Sequence, residues 1–430
     1  MIELRHDDLR LRPEPGRVVV RPFHLAWNAR SGDQSRTAAL IHQVREMDMR
    51  TARAELALVM RDFEARHWQT EKIFLARYDE LEAQLGLDGR AIRREKKLLI
   101  GAYFCHEYSY AAAALMNPSV TRHPDQSGLS KGAVRFIMSL RAVGEGHISS
   151  IAFREGIVTP DLDVQLMPEP PFATAANSTA VGADRDSGPV TVTRNKDSSL
   201  SGTVLFPITA AQRNGLEDLR LTEFTHEDGE REWIGTYTAY SGAEIQSELL
   251  RTPDFQNFLL EPMTGPAARN KGMALFPRKI GGRYQMIGRQ DGKNLFLLSS
   301  DDLGHWDDGH LLLEPVYPWE LVQIGNCGAP IEIDEGWLLL THGVGAMRKY
   351  AIGAALLDKD DPSKVLGRTP LPILSAADED RDGYVPNVVY TCGALRAGDE
   401  LFLPYGVADM TVAFAFVSIS ELVGSMVPGP

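Results

Sequence analysis

Five stretches of this chain share one shape: an apolar β run, a short polar break and a second apolar run. They are Arg135–Phe153, Glu232–Leu250, Arg283–Ser300, Gly336–Leu357 and Glu400–Val417. The last four start at 232, 283, 336 and 400, steps of 51, 53 and 64 residues, whereas the step from 135 to 232 is 97. Each of the last four has a further β run upstream: 218–224, 273–280, 329–333 and 388–395. A period near 50 with about four short strands per unit signals a β-propeller. Five units predict an all-β five-bladed β-propeller. The long first step is filled by residues 160–202, rich in Pro, Ala, Ser, Thr, Asp and Gly, which read as an insertion or lid loop.

The chain before residue 117 has a different texture. Residues 1–32 read as extended and turn-rich, and 33–116 as a helical hairpin. Leu56, Val59, Met60 and Phe63 recur at helical spacing, as do Ile73, Phe74, Tyr78, Leu81 and Leu85. Gly86 reads as a C-cap, and a second helix is expected from about Arg90 to Met116. The domains are therefore placed at 1–116, an N-terminal α-helical extension, and 117–430, the propeller. The helices either pack on the main domain or form an oligomerisation arm.

Charge narrows the partners. Lys plus Arg number 45 against 58 Asp plus Glu, a net charge of −13. An acidic chain does not suit a polyanion, so nucleic acid and anionic membrane are not expected partners. No run approaches a membrane span, and the first residues lack the apolar core of a signal peptide. Cys105, Cys327 and Cys392 are far apart, which fits a reducing compartment and a cytoplasmic location.

In a propeller the leading ends of the inner strands converge on one mouth. Here those ends are polar: Asn117, Glu217-Asp218, Arg269-Asn270-Lys271, Asn326 and Asn387. Asp218, flanked by Arg220, is a candidate for acid work, though Asp also opens strands by satisfying turn amides. Arg269, Asn270, Lys271 and Arg289 suit a phosphate or carboxylate, and equally a solvated rim of ion pairs. His342 ends a strong strand, and His147 follows Arg141 at a comparable place in the first repeat. Two histidines without a completing carboxylate or thiol are not a metal set, so no metal site is expected. Tyr237, Tyr240, Trp319, Trp337 and Tyr405 serve packing, with a few free to stack on sugar rings. There is no glycine-rich phosphate loop, no GxSxG and no HExxH.

These motifs together resemble glycoside hydrolase family 130. The residues that carry the likeness are LEDLR (216–220) with YTAY (237–240), ALFPRKIGGRY (274–284), GWLLLTHGV (336–344), LLDKDDPSKVLGR (356–368), YVPNVVYTCGAL (384–395) and LPYGVAD (403–409). The likeness covers roughly residues 117–425. It implies a five-bladed propeller acting on β-mannosides, most members being inverting phosphorylases and a minority hydrolases. It implies Asp218 as general acid, protonating the glycosidic oxygen through a mannose hydroxyl. It implies phosphate held by Arg269, Asn270, Arg289 and His342, with Lys271 adjacent. Asp409 falls on a position that contacts the sugar or organises the phosphate pocket. With Asn117, Arg141, His147, Glu217 and Tyr240 it makes the expected substrate-binding set. One departure is Gln323, where many family phosphorylases carry Lys. The expected reaction is phosphorolysis of a β-mannoside, most naturally β-1,2-linked, to α-mannose 1-phosphate, with no cofactor beyond phosphate as co-substrate. A homo-oligomer through the N-terminal helices is expected. The rivals are a β-1,2-mannosidase on the same fold and a non-catalytic sugar-binding propeller. Arabinan- and fructan-cleaving propellers use three carboxylates on separate blades, and no matching set is seen.

Overall fold

The computed structural model describes residues 2–23, 35–180 and 188–429. The chain divides into two compact units. The smaller comprises Gly16–Ser109 and Pro170–Ala175; the larger comprises Met1–Pro15, Tyr110–Glu169 and Ala176–Pro430.

The smaller unit holds helices α1 (Ser35–Glu46), α2 (Met49–Phe63), α3 (Thr70–Leu85) and α4 (Arg94–Tyr103). Asp48 caps α2 by accepting from the backbone N–H groups of Arg50 and Thr51 at 2.9 and 3.0 Å. Gly86 ends α3 in the left-handed region, φ 63°, as its place after Leu85 predicts. Ile41, Val44, Ala52, Tyr78, Leu81, Leu99, Ile100 and Phe104 form the core between the helices. Gly101 lets α4 approach α3, since a Cβ there would stand 1.9 Å from the Phe74 carbonyl oxygen.

Among the described residues the expected hairpin is four helices rather than two, and the one expected over Arg90–Met116 is shorter. It stops at Tyr103, and Cys105–Ser109 is a strand paired with Val18–Pro22. Ala114–Arg122 is already a strand of the larger unit. The helical pattern of an Ala-rich stretch is overridden there by available strand partners.

The larger unit is built of successive antiparallel sheets. Each of the five repeats is a hairpin, from Val134–Val143 with Ser149–Val158 to Glu400–Val407 with Thr411–Ser418; the first two share one twelve-stranded sheet, linked by a parallel pairing of Gly215 with Ser149, and each of the last three lies in its own sheet. The strands upstream of the hairpins are Ala114–Arg122, Gly215–Thr225, Ala274–Leu275, Gln323–Asn326 with Ile331–Ile333, and Val389–Tyr390. Apolar clusters join consecutive repeats. Phe153 and Ile151 pack with Leu216 and Tyr237, Phe224 and Ile234 with Met273 and Met286, Phe276 and Ile287 with Trp337 and Leu339, and Leu338 and Ile352 with Leu401 and Leu403. Phe136 of the first repeat meets Phe402 of the last, ring centroids 5.1 Å apart.

Two boundaries differ from the sequence reading. The first is at the N-terminus. Arg5–Leu11 is the outer strand of the last sheet, pairing antiparallel with Thr411–Ser418 (Arg5 opposite Phe416, Asp7 opposite Phe414). Residues 2–15 therefore belong to the larger unit and not to a 1–116 extension. Its partner lies some four hundred residues away, so no local pattern announces it.

The second is the 160–202 stretch, which is not a loop throughout. Val164–Leu166 pairs with Ser149–Val158, and Val190–Thr193 pairs with Asn257–Pro262. Val190 and Val192 are buried in the core shared by the first two repeats. The alternation Val-Thr-Val-Thr is a half-buried strand pattern that the surrounding Pro, Ser and Asp obscure. Residues 181–187 lie outside the described residues.

Candidate active site

The polar leading ends are placed by interrupted strands. The pairing of Ala114–Arg122 with its neighbour shifts register between Met116 and Ser119, and that of Gly215–Thr225 shifts between Glu217 and Arg220. Asn117 and Asp218 stand inside these two bulges in the left-handed region, at φ 48° and 54°. Asn and Asp tolerate that conformation better than other side-chain-bearing residues. A bulge re-aims its side chain, and here the two aim at each other.

Asn117 Nδ2 donates to Asp218 Oδ1 at 2.7 Å. Arg141 spans the adjacent carboxylates, donating from Nη1 to Asp218 Oδ1 at 3.3 Å and from Nη2 to Glu217 Oε1 at 2.6 Å. Its Nε donates to Ser149 Oγ at 2.9 Å, which fixes the guanidinium plane. Burial alone would raise the Asp218 carboxyl. The charges of Arg141 and Arg220, the Asn117 hydrogen bond and Lys271 outweigh burial and hold it at about 2, below its ordinary 3.8. Glu217 goes the other way: burial lifts it, Arg141 offsets part of that, and the Asp218 charge adds to the rise. Asp409 is raised to about 6 by burial and by Asp218, against Arg141, Arg348 and Lys271.

A cationic group lies beside these carboxylates. Arg220, 2% exposed, donates from Nη1 to the Asp218 backbone carbonyl at 3.3 Å and from Nη2 to the Tyr390 hydroxyl. Arg289, 7% exposed, donates from Nη1 to His342 Nε2 at 3.3 Å. Since a guanidinium only donates, Nε2 accepts and the ring is neutral. Burial first, and then Arg289 and Arg220, hold the His342 imidazole well below the ordinary range. The His342 ring meets Tyr390 edge-on at 4.9 Å and stacks on Tyr350 at 5.9 Å. Among the described residues neither Arg220 nor Arg289 has a carboxylate at ion-pair distance, and the Nε of each is buried without a partner. Glycines make room for the pair. A Cβ at Gly272 would stand 2.5 Å from Arg289 Nε, and one at Gly325 2.2 Å from His342 Cε1.

The remaining expected residues divide. Asn270 does not present its amide to a ligand. Its Nδ2 donates to the carbonyls of Arg289 and Gln290 at 2.6 and 3.0 Å, and its Oδ1 accepts from the Lys271 N–H at 2.8 Å. It is a positioning residue for Arg289, because a side chain with both ends satisfied by backbone holds a loop rather than a ligand. Lys271 is exposed, and its charge reaches Glu217, Asp218 and Asp409. Arg269 ends the short turn Pro266–Arg269 and is exposed. Tyr240 closes its strand and donates to the Gly242 carbonyl at 3.1 Å, away from the carboxylates. His147 is exposed on a turn between two strands of the first sheet. Tyr390, which touches both Arg220 and His342, escaped the sequence reading. Its signal is its place three residues after the polar leading end at Asn387. Among the described residues, no three His, Cys, Asp or Glu side chains are grouped as metal ligands. No helix among them is long and apolar enough to cross a membrane.

Comparison with known proteins bears on this arrangement. The model of glycoside hydrolase family 130, described as β-1,4-mannooligosaccharide phosphorylase, matches residues 187–427. A β-1,2-mannobiose phosphorylase of Listeria innocua is 36% identical over 225 residues, 51% of this chain and 62% of that protein. A 1,2-β-oligomannan phosphorylase of Thermoanaerobacter sp. is 37% identical over 155 residues, 36% of this chain and 52% of that protein. The chain thus spans 62% and 52% of the lengths of these two relatives. The solved structure of the Listeria innocua enzyme with β-1,2-mannobiose superposes with a TM-score of 0.51 at 23% identity, covering 73% of this chain and 92% of that one. Another solved structure, with a TM-score of 0.51 at 18% identity over 73% of this chain and 87% of that one, is described among the family's glycoside hydrolases that target β-1,2-mannosidic linkages in Candida mannan. The mostly β fold is that of these structures, and the chain belongs to glycoside hydrolase family 130.

Proposed function

We propose that this chain is an inverting phosphorylase of β-1,2-linked mannosides, built on a five-bladed propeller. The blade count rests on the five hairpin repeats whose cores are shared in sequence, with Phe136 and Phe402 joining first to last. The observation that carries the function is the pair of buried guanidiniums, Arg220 and Arg289, which face only neutral acceptors. Leaving a buried cation without a counter-charge costs roughly several kcal/mol. A phosphate dianion between Arg220, Arg289 and His342, with Lys271 near, supplies that charge, and bidentate Arg–phosphate contacts are strong. Arg269 stands at the rim as a further cation for the same anion, and Asn270 holds Arg289 in place.

In this reading phosphate attacks the anomeric carbon from the face opposite the leaving oxygen. The C–O bond to the leaving sugar breaks, a C–O bond to phosphate forms, and the Asp218 proton reaches the leaving oxygen through a mannose hydroxyl. Asp218 is ionised in the free protein, held there by Arg141 and Arg220. Bound phosphate beside Arg220 offsets that field, so the acid keeps its proton only when both substrates are in place. Asn117, Arg141, Glu217 and Asp409 hold the mannose. No cofactor takes part. The β-1,2 linkage is supported by the named activities of the Listeria innocua and Thermoanaerobacter relatives. The cytoplasm is the compartment where a sugar phosphate is retained, and the helices α1–α4 are the surface for self-association.

A second reading, hydrolysis, draws on Asp409. A carboxylate near pKa 6 has the proton affinity of a general base at neutral pH, and Gln323 lacks the positive charge of a lysine. Incubation with β-1,2-mannobiose with and without phosphate decides between them. Phosphorolysis gives α-mannose 1-phosphate only when phosphate is present. Robust release of free mannose without phosphate establishes the hydrolase.

A further inference from the structure

One member of the cationic group beside the acid can only accept. Arg289 Nη1 points at His342 Nε2 from 3.3 Å, and a guanidinium only donates, so Nε2 presents its lone pair. The ring proton is then on Nδ1, which lies 3.7 Å from Cys327 Sγ. The Asn326 backbone also bonds the ring in the sense that favours a proton there, which a carbonyl does by accepting it. The bond made by one ring nitrogen thus fixes the role of the other. The ring has little freedom to turn over. It is fully buried, stacks on Tyr350 and meets Tyr390 edge-on.

The groups around this ring are donors. Arg220 and Arg289 offer N–H groups alone. Tyr390 joins them. Its hydroxyl oxygen accepts from Arg220 Nη2, which leaves its own O–H to donate. Burial raises the phenol above its ordinary 10 despite both guanidiniums, so it keeps that proton. The Arg289–His342 contact is long for a hydrogen bond. A dianion is a stronger acceptor for a guanidinium than an imidazole is, and it draws Arg289 from the ring. That bares the Nε2 lone pair at a buried place.

Resting on the phosphate seat proposed above, we infer that His342 accepts the P–OH of hydrogen phosphate, and that the seat thereby selects hydrogen phosphate against sulfate. At neutral pH the two dianions share charge and tetrahedral shape. They differ in one proton: phosphate keeps a P–OH, and sulfate has none. Three donors and one acceptor match the first ion. With sulfate, a bare oxygen faces a bare lone pair, and a buried polar atom left unpaired costs about 1–3 kcal/mol. A site built to bond a hydroxyl rejects the analogue that lacks it. The same contact sorts the phosphate oxygens. The protonated one is turned to His342, so the oxygen that attacks the anomeric carbon is one of the three without a proton. His342 is a specificity-determining residue for the nucleophile, and Cys327 and the Asn326 carbonyl are positioning groups that act through it.

The test is calorimetric titration of the wild-type protein with inorganic phosphate, arsenate and sulfate, at neutral pH and equal ionic strength, with and without mannose. Sulfate binds at least about thirtyfold more weakly than phosphate, the equivalent of about 2 kcal/mol. Arsenate, which carries one proton as phosphate does, binds like phosphate. Nitrogen-15 spectra of histidine-labelled protein show His342 as the neutral Nδ1–H form in the phosphate complex. His342→Gln, whose amide can turn an N–H to the anion, narrows the ratio of sulfate to phosphate Kd to below about tenfold. A melting curve verifies its fold, and the wild-type series decides the matter if it does not fold. A smaller sulfate ratio in wild type, refusal of arsenate along with sulfate, a proton on Nε2 in the complex, or an unchanged ratio in a folded His342→Gln each overturns this inference. Phosphate selectivity in a protein that turns over no β-mannoside overturns the functional reading alone. A protein that binds no phosphate overturns both.

Discussion

Asn117 donates its side-chain amide to the Asp218 carboxylate at 2.7 Å across 101 positions of sequence, and both residues stand at left-handed φ inside bulges of the leading strands of two consecutive repeats. That hydrogen bond and the Arg141 contact orient the carboxylate before any substrate arrives.

Replacing Asp218 by Asn keeps the shape and the Arg220 backbone contact but removes the transferable proton. Turnover of unactivated β-1,2-mannobiose falls by about 10²–10⁴-fold, while the melting temperature changes little. Initial-rate kinetics beside a thermal scan check both, and a near-normal rate shows that the acid is another group.

Arg289→Ala removes one of the two unpaired buried cations. The KM for phosphate rises about tenfold or more, since hydrogen bonds to charged groups contribute about 1.5–3 kcal/mol. Phosphate also protects the wild-type protein against thermal unfolding by mass action, and that protection is reduced in the variant. Gly325→Ala acts on the same group indirectly, because its Cβ would stand 2.2 Å from the His342 ring and 3.0 Å from Arg289 Cδ. Equal phosphate kinetics in wild type and both variants would remove the anion seat from this place.

Asp409→Asn separates stability from activity. The folded carboxyl is raised from 3.8 to about 6, so ionisation opposes folding. The penalty is absent below about pH 4, develops as pH rises through 6 and is complete above it, reaching at most about 3 kcal/mol. The variant is therefore more stable than wild type at pH 8 and equal at pH 4, yet less active. Chemical denaturation at the two pH values measures this, and a stability difference independent of pH contradicts it.

Deleting residues 2–11 removes the outer strand of the last sheet and bares the edge of Thr411–Ser418. Ile2 and Leu4 also pack against the core of that sheet. The loss of these partly buried side chains lowers stability by about 2–4 kcal/mol, and the open edge promotes association. Denaturant midpoints and light scattering follow the two effects. An unchanged midpoint would mean that the strand is dispensable.

The helices of the smaller unit offer a check on self-association. Leu58 is exposed on α2. If α1–α4 carry the oligomer, Leu58→Arg shifts the mass seen by light scattering toward the monomer with activity retained per chain. An oligomer of the same size in this variant removes α2 from the contact.

The repeating unit was legible in the chain alone, because a hairpin of two apolar runs around a polar break is a local pattern with a strand period. The chain alone also marked Asp218 as a polar residue at a leading end and Arg289 and His342 as polar residues at strand ends, because such residues stand out against apolar strands, while the resemblance alone tied the last two to phosphate. Tertiary structure decided what depends on distant partners. Arg5–Leu11 reads as a loose terminus until Thr411–Ser418 lies beside it. The Val190–Thr193 strand is hidden by its loop-like neighbours until Asn257–Pro262 pairs with it. Asn270 looks like a ligand by residue type, yet the Arg289 and Gln290 carbonyls occupy its amide. Tyr390 looks like any tyrosine until Arg220 and His342 meet it. Strand periodicity is written in neighbouring residues, whereas a site shared by several sheets is written in contacts between residues a hundred or more positions apart.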